Sequence, residues 1–306
     1  MISLKQLHYA LAVERTRHFK KAADECHISQ SALSTAIAEL ENQLRLQIFE
    51  RDNKKVLVTA VGQKFLDKAR EVKILVDDLY RLAAAEREPL SGPLSLGVIP
   101  TIGPYLLPKV LPAVRHRYPN LQLSIQEEQS ATLVEKVRDG ELDTAVLALP
   151  YELGGLHAFE FWQEDFLIVT HPASSLSDRS RVASEALQEE PLLLLRDGHC
   201  LKDHALAACN FRPVQTNQTV SGTSLYTLLQ MVAGGLGSTF VPEMAVDQLT
   251  GGSQEFRLIR LAEPGPHRRL ALISRLNYAG ADNLVLLGKL FREQLQKTAR
   301  SEVANG

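Results

Sequence analysis

Between residues 18 and 51 apolar positions recur with a helical period, interrupted by one short polar turn. Phe19, Ala22 and Ala23 make one apolar face, and Ala32, Leu33, Ile37, Leu40 and Leu44 make the next. Ser29 stands where a helix needs an N-cap, because a hydroxyl there accepts a free backbone N–H of the first turn. The paired alanines let two helices cross closely, so the spacing predicts a helix-turn-helix at about 18–37 with a charged hairpin after it. An ordinary helical hairpin would satisfy the same periodicity. Further on, residues 62–88 contain no proline, and glycine only at the first position. Phe65, Ala69, Val72, Val76, Leu79 and Ala83 are spaced four, three, four, three and four, which is a heptad seam. Such a helix is expected to pair with a second copy; the alternative is a helix lying on its own domain. Pro89, Gly92 and Pro93 then break the pattern and mark a hinge.

From Leu94 strands and helices alternate. LSLGVI (94–99) reads as a strand, PYLLPKVLPAVRHR (104–117) as a helix and LQLSIQEE (121–128) as a strand. SATLVEKVRDG then reads as a helix and LDTAVLAL (142–149) as a strand, a βαβαβ unit that implies a parallel sheet. A second unit starts near Phe166 with FLIVTH and PLLLLRDGHC, a helix from about Lys202, then TVSGTSLYTLLQMVAGG and STFVPE. HRRLALISR (267–275) reads as a strand returning to the first subdomain, and LVLLGKLFREQLQ as a closing helix. The expected organisation is an N-terminal domain at 1–58, a linker helix at 59–89 and an α/β domain of two lobes at 90–306. Lobe I covers about 90–160 plus 268–306, and lobe II about 161–267. In open parallel sheets ligands bind at the carboxyl ends of strands. Thr101, Ser130, the turn at 198–200 and Thr223 occupy such strand-to-helix corners and are expected to converge.

Composition narrows the classes. A chain of 306 residues is long enough for two or three cores, and its net charge of −2 carries no large basic field. Residues 1–58 hold nine Lys/Arg against seven Asp/Glu, so that part is +2 and the remainder −4. No apolar run is long enough to span a bilayer, and the opening MISLKQLHYA does not read as a secretory leader. Three cysteines are too few for a disulfide scaffold, so a cytoplasmic location and no membrane association are expected.

The segment DGHCLKDHALAAC (197–209) carries the candidate chemistry. A helix starting near Cys200 would put its thiol at the positive end of the helix dipole, with His199 and Lys202 adding positive charge. Both favour thiolate, the reactive form, whereas Asp203 works against it. Nine helical residues from Cys200 to Cys209 would span about 13.5 Å and half a rotation. A disulfide needs Cα atoms within about 7 Å, so a bridge between them would require local unfolding. On the residues alone two readings stand side by side: a redox pair, or cysteines packed as inert core, as Cys26 in the helix-turn-helix is read.

Taken together, Phe19-x-x-Ala22-Ala23, the string Ser29 to Ser34, Leu40-Glu41, Phe49-Glu50-Arg51 and Thr59-x-x-Gly62 resemble the N-terminal domain of LysR-type transcriptional regulators. The resemblance extends over essentially the whole chain. It implies an α/β protein with an N-terminal winged helix-turn-helix, a dimerising linker helix and a two-lobed effector domain like a periplasmic binding protein. GHCLKDHALAAC, with TIGPYLLP (101–108) and GELDTAVLALP (140–150), looks like the hydrogen-peroxide-sensing OxyR branch of that family. By that resemblance Cys200 is the peroxidatic cysteine and Cys209 the resolving one, joined in a reversible disulfide. His199 and Asp203 flank the site, Thr101 and Ser130 hydrogen bond the peroxide, and Arg268 supports the reduced pocket. Ser130 stands where the family has threonine, Lys202 replaces a frequent arginine, and Pro100 precedes Thr101 where a larger residue is common.

The resemblance further implies double-stranded promoter or operator DNA as partner, a homodimer building to a homotetramer, contact with RNA polymerase and resetting by a cellular thiol reductant. The chain would activate oxidative-stress genes without being an enzyme, and no metal, flavin or haem is needed. Gln30, Ser31, Ser34 and Thr35 are the polar residues of the first recognition turns and are expected at base edges. Arg51, Lys54 and Lys55 of the wing are expected on phosphates, the alternative being a solvated hairpin. Ala36, Ala38 and Glu39 occupy the outer face where relatives carry a basic residue, so DNA shape is expected to contribute. The competing function is a LysR-type regulator that binds a small organic effector between the lobes, with structural cysteines.

Overall fold

The computed structural model describes residues 1–52, 55–85, 88–188, 190–196, 198, 200–208, 216–222 and 224–305. It divides into two compact units, Met1–Ala84 and Ala85–Gly306.

The first unit contains helices α1 (Leu4–Thr16), α2 (Phe19–Glu25) and α3 (Gln30–Leu44), the hairpin β1 (Phe49–Asp52) and β2 (Lys55–Val58), and the long helix α4 (Ala60–Ala85). Each of the first three helices has a side-chain cap. Ser3 and Gln6 form a reciprocal box at α1, His18 Nδ1 accepts the Lys20 and Lys21 N–H groups at α2, and Ser29 Oγ accepts the Ala32 N–H at α3. The core gathers Ala10 and Val13 of α1, Phe19, Ala22 and Ala23 of α2, Leu33, Ile37 and Leu40 of α3, and Ile48, Phe49 and Leu66. Ala32, expected on the apolar face, is exposed, because it stands about 100° round the helix from Leu33. The sequence pattern does not announce α1, whose buried face includes the polar Gln6.

Hydrogen bonds fasten the wing to the helices. Glu41 Oε1 accepts the N–H groups of Ile48 (2.7 Å) and Phe49 (3.0 Å). The Thr59 hydroxyl donates to the Gln47 carbonyl at 2.6 Å and accepts from the Gly62 N–H at 2.8 Å. Leu66 and Ala69 of α4 are buried in this unit, so the heptad seam is uncovered only from Val72 onward, where Leu75 is 61% and Leu79 66% exposed.

The second unit runs β3 (Gly92–Val98), α5 (Gly103–Arg117), β4 (Leu121–Glu127), α6 (Ser130–Arg138), β5 (Thr144–Leu149), β6 (His157–Glu164), β7 (Phe166–Thr170), β8 (Arg181–Val182), β9 (Leu192–Leu195), α7 (Cys200–Ala208), β10 (Thr216–Gly222), α8 (Leu225–Ala233), β11 (Thr239–Pro242), α9 (Glu243–Thr250), β12 (Arg257–Leu261), β13 (Arg268–Ser274) and α10 (Ala281–Asn305). The lobe I sheet has the order β4-β3-β5-β13-β6, with β4, β3 and β5 parallel and β13 antiparallel to both its neighbours. In lobe II the order is β11-β7-β12-β8, and parallel β9 and β10 lie beside β11. The Leu193 N–H donates to the Ser238 carbonyl (2.8 Å) and the Ser238 N–H to the Pro191 carbonyl (2.9 Å), which makes that junction. Strand β6 is the edge strand beside β13, and β7 of the second sheet begins at Phe166, so the first crossover falls at Asp165. The return crossover falls at His267, just before β13. Among the described residues no helix is long and apolar enough to cross a membrane.

Candidate functional site

Cys200 is the first residue of α7, is 5% exposed and carries a free thiol. The approach to it is tight. Gly198 has φ +95°, a conformation that favours glycine, and a Cβ there would stand 2.6 Å from Gln129 Oε1 and oblige that side chain to move. Gln129 is the N-cap position of α6, and the next residue, buried Ser130, donates its hydroxyl hydrogen bond to the Cys200 sulfur. Burial dominates the thiol and pushes its pKa up. Ser130, the Arg268 guanidinium and the Cys200 backbone N–H pull it back, and Asp203 pushes it further up.

Arg268, 1% exposed, opens β13 and holds the middle of the site. Its Nε donates to Glu164 Oε1 at 2.8 Å, its Nη2 lies 2.7 Å from the same oxygen, and Nη2 also donates to the Thr101 carbonyl at 3.3 Å. The guanidinium lies 5.8 Å from the centre of the Phe166 ring. Glu164, itself buried, accepts the Met244 N–H of α9 at 2.8 Å, so the ion pair spans the two crossovers and reaches into lobe II. The Tyr105 pKa is pushed up to about 12, chiefly by burial, with the Arg268 charge acting against the rise. His204, four residues after Cys200, is 4% exposed, and its Nε2 lies 2.7 Å from the Pro150 carbonyl oxygen. Burial holds its pKa below the ordinary histidine value.

Three of these buried residues each have one polar atom without a hydrogen-bond partner: Thr101 Oγ1, Arg268 Nη1 and His204 Nδ1. An unsatisfied buried group costs about 1–3 kcal/mol, so a cluster of them beside a buried thiol is the arrangement of a small polar binding site. The residues around it combine hydrogen-bond donors for a developing oxyanion with a sulfur held at a helix N-terminus.

Of the residues named from sequence, Ser130 and Arg268 come together with Cys200, and Thr101, in the turn between β3 and α5, is tied to the group by its carbonyl's bond to Arg268. Asp203 lies on the exposed side of α7. His199, Cys209 and Thr223 lie outside the described residues. Sequence reasoning missed Glu164 and His204. The spacing of His204 from Cys200 is a usable signal, since residues four apart share a helix face; Glu164, outside every motif, has none.

On the first unit, Gln30, Ser31 and Thr35 are exposed on the opening turns of α3, and Ser34 is half-buried. Ser29 Oγ and Ser31 Oγ share a hydrogen bond of 3.0 Å. Arg51 lies in β1 opposite Val56, and Lys55 opens β2 opposite Asp52. Lys54 lies outside the described residues.

The chain matches two family models: "Bacterial regulatory helix-turn-helix protein, lysR family" over residues 4–63 and "LysR substrate binding domain" over residues 87–296. A probable hydrogen peroxide-inducible genes activator of Streptomyces viridosporus is 40% identical over 96% of this chain and 95% of its own. Full-length OxyR of Pseudomonas aeruginosa, with a cysteine-to-aspartate substitution, superposes with a TM-score of 0.80 at 32% identity, covering 95% of both chains. Corynebacterium glutamicum OxyR carrying a cysteine-to-serine substitution, with hydrogen peroxide bound, superposes with a TM-score of 0.69 at 32% identity over 99% of this chain and 96% of that one. With the two family models matched over residues 4–63 and 87–296, and with relatives similar along nearly the entire length, the chain belongs to the LysR family of helix-turn-helix regulators and, within it, to the OxyR branch.

Proposed function

We propose that this regulator is switched by hydrogen peroxide acting on Cys200, and that it activates transcription in response. The observation that carries the proposal is a buried thiol at a helix N-terminus, hydrogen bonded by Ser130 and influenced by Arg268, which itself donates to the Thr101 carbonyl. The peroxide bound to the Corynebacterium relative supports the same ligand here. The Cys200 sulfur attacks the near peroxide oxygen, the O–O bond breaks, and hydroxide leaves with a proton as water. Thr101 and Ser130 donate to the oxygens as negative charge develops. Cys209 then condenses with the sulfenic acid, releasing a second water, and a cellular dithiol resets the bridge. One peroxide is consumed per switching event, so the protein is a sensor and not an enzyme.

The switch follows from the winding of α7. Ala208 stands about 12 Å along the axis from Cys200. The next residue is one Cα–Cα step of about 3.8 Å away, too short a reach to bring it within about 7 Å of Cys200. Forming the bridge therefore unwinds α7, and oxidation becomes a change of shape. Peptide mass spectrometry without reductant, after one equivalent of hydrogen peroxide, tests this. A Cys200–Cys209 bridge formed within seconds and absent from Cys200→Ser is the expected result. Thiols that stay free at that dose overturn it and direct attention to an organic effector.

DNA recognition rests on Gln30, Ser31, Ser34 and Thr35 at base edges, with Arg51, Lys54 and Lys55 contacting phosphates. The uncovered face of α4 at Val72, Leu75 and Leu79 is the dimer seam, on which the tetramer, operator binding and contact with RNA polymerase depend. Leu79→Asp is expected to shift the protein to monomer at micromolar concentration and to weaken operator binding at least tenfold. Sedimentation velocity and a gel-shift titration would read both effects; an unchanged dimer would remove α4 from the interface.

A further inference from the structure

A buried thiol cannot react as thiolate unless its proton has somewhere to go, and burial makes that loss harder at Cys200. The unpartnered polar atoms around it differ in sign. Arg268 Nη1 can only donate, and Thr101 Oγ1 carries a proton of its own. His204 is different. Its Nε2 faces the Pro150 carbonyl oxygen at 2.7 Å, and a carbonyl only accepts, so Nε2 carries the hydrogen and Nδ1 presents a bare lone pair. That lone pair is buried and has no partner.

His204 lies four residues beyond Cys200 on α7, which puts the two side chains on one face as neighbours. Helical side chains lean toward the N-terminus, so the His204 ring leans toward the turn that carries Cys200, with the sulfur beyond direct hydrogen-bond reach of Nδ1. We propose that His204 is the proton acceptor of the sensing site: Nδ1 takes the Cys200 proton, relayed through the bound peroxide or a water, as the sulfur attacks and returns it to the departing oxygen. This rests on the peroxide-sensing reading above. In the step, the S–H and O–O bonds break while an S–O bond and an O–H bond of water form. Sulfur is oxidised, peroxide is reduced, and the imidazole ends neutral, as it began.

The electrostatic surroundings keep the acceptor ready. Burial and the Arg268 guanidinium of β13 hold the imidazole below its usual value, while the Pro150 carbonyl and Asp203 act the other way. Tyr151, after β5, feels Cys200 and Asp203, and burial pushes its hydroxyl up, so it stays protonated and does not compete. Burial, the largest of these influences, favours the neutral imidazole that can accept a proton.

The test uses the full-length protein and reads Cys200 by intact-protein mass spectrometry across pH 5.5 to 9, roughly the span between histidine and thiol ionisation. One rate is alkylation by iodoacetamide, which needs no peroxide. The other is sulfenic acid formation with hydrogen peroxide, trapped by dimedone in a Cys209→Ser background. The unsubstituted site is expected to show rates that are flat above about pH 6.5. In His204→Gln both rates should fall about tenfold for each pH unit below the thiol pKa, reaching a loss of about 100-fold at pH 7. His204→Asn gives a second reading should the glutamine variant fail to fold by circular dichroism. A folded variant that keeps the parent rate and profile overturns the proposal, as does a drop that is the same at every pH. If alkylation depends on His204 while peroxide leaves Cys200 untouched, the acceptor stands and the peroxide reading falls.

Discussion

Replacing Glu164 by alanine is expected to destabilise the effector unit by about 3–5 kcal/mol, because it strands the Arg268 guanidinium in the interior without its counter-ion. Both side chains are buried and joined through two guanidinium nitrogens, at 2.8 Å and 2.7 Å. The Met244 N–H would lose its acceptor as well. Replacing both charges by apolar residues, as in Glu164→Leu with Arg268→Met, is expected to recover most of the loss, since the desolvation of two ions disappears together. The two units need not melt together, so hydrogen exchange followed on peptides of β6 and β13 is the appropriate measurement. A loss below about 1 kcal/mol for Glu164→Ala would mean that water reaches the pair on a scale typical of surface ion pairs.

Gly62→Val is expected to destabilise the first unit by about 3 kcal/mol and to abolish operator binding under conditions where the parent binds. A Cβ at this position would lie 2.3 Å from the Ile48 carbonyl oxygen and 2.8 Å from Thr59 Oγ1. The nearer obstacle is backbone and cannot rotate away. Moving it would also disturb the Thr59 N–H to Ile48 carbonyl bond at 3.0 Å and the two bonds that Glu41 receives from Ile48 and Phe49. The wing would lose its register against α3. Thermal melting and fluorescence anisotropy with operator DNA would test both effects; normal binding by a folded Gly62→Val protein would mean that α4 can shift without cost.

The Thr59-x-x-Gly62 pattern is read from sequence through the family resemblance, and the structure supplies its reason: a hydroxyl caps the turn, and a missing Cβ admits the Ile48 carbonyl. The helix-turn-helix was equally open to reading through Phe19, Ala22, Ala23, Leu33 and Ile37, all buried. Parallel strand β5 announces itself as an apolar run, and β3 and β4 by alternation of apolar with polar or small residues. Strands β6 and β12 do not, since exposed polar residues interrupt both and neither is flanked by helix on each side. The same division holds at the site. Cys200, Thr101 and Ser130 sit at corners where strands hand over to helices, and topology brings such corners together. The pairing of Glu164 with Arg268 arises only because two crossovers run side by side, a fact of tertiary structure that no spacing encodes.

The winding of α7 from Cys200 to Ala208 has a consequence for the reduction potential of the proposed couple. When a disulfide can close only on an unwound segment, the free energy that keeps the segment helical is subtracted from the stability of the oxidised form. Each 1.4 kcal/mol of helix stability then raises the potential by about 30 mV, toward easier reduction. Ala205 and Ala207, which hold no sulfur and touch no peroxide, therefore help to set how long a cell's alarm persists after the oxidant is gone.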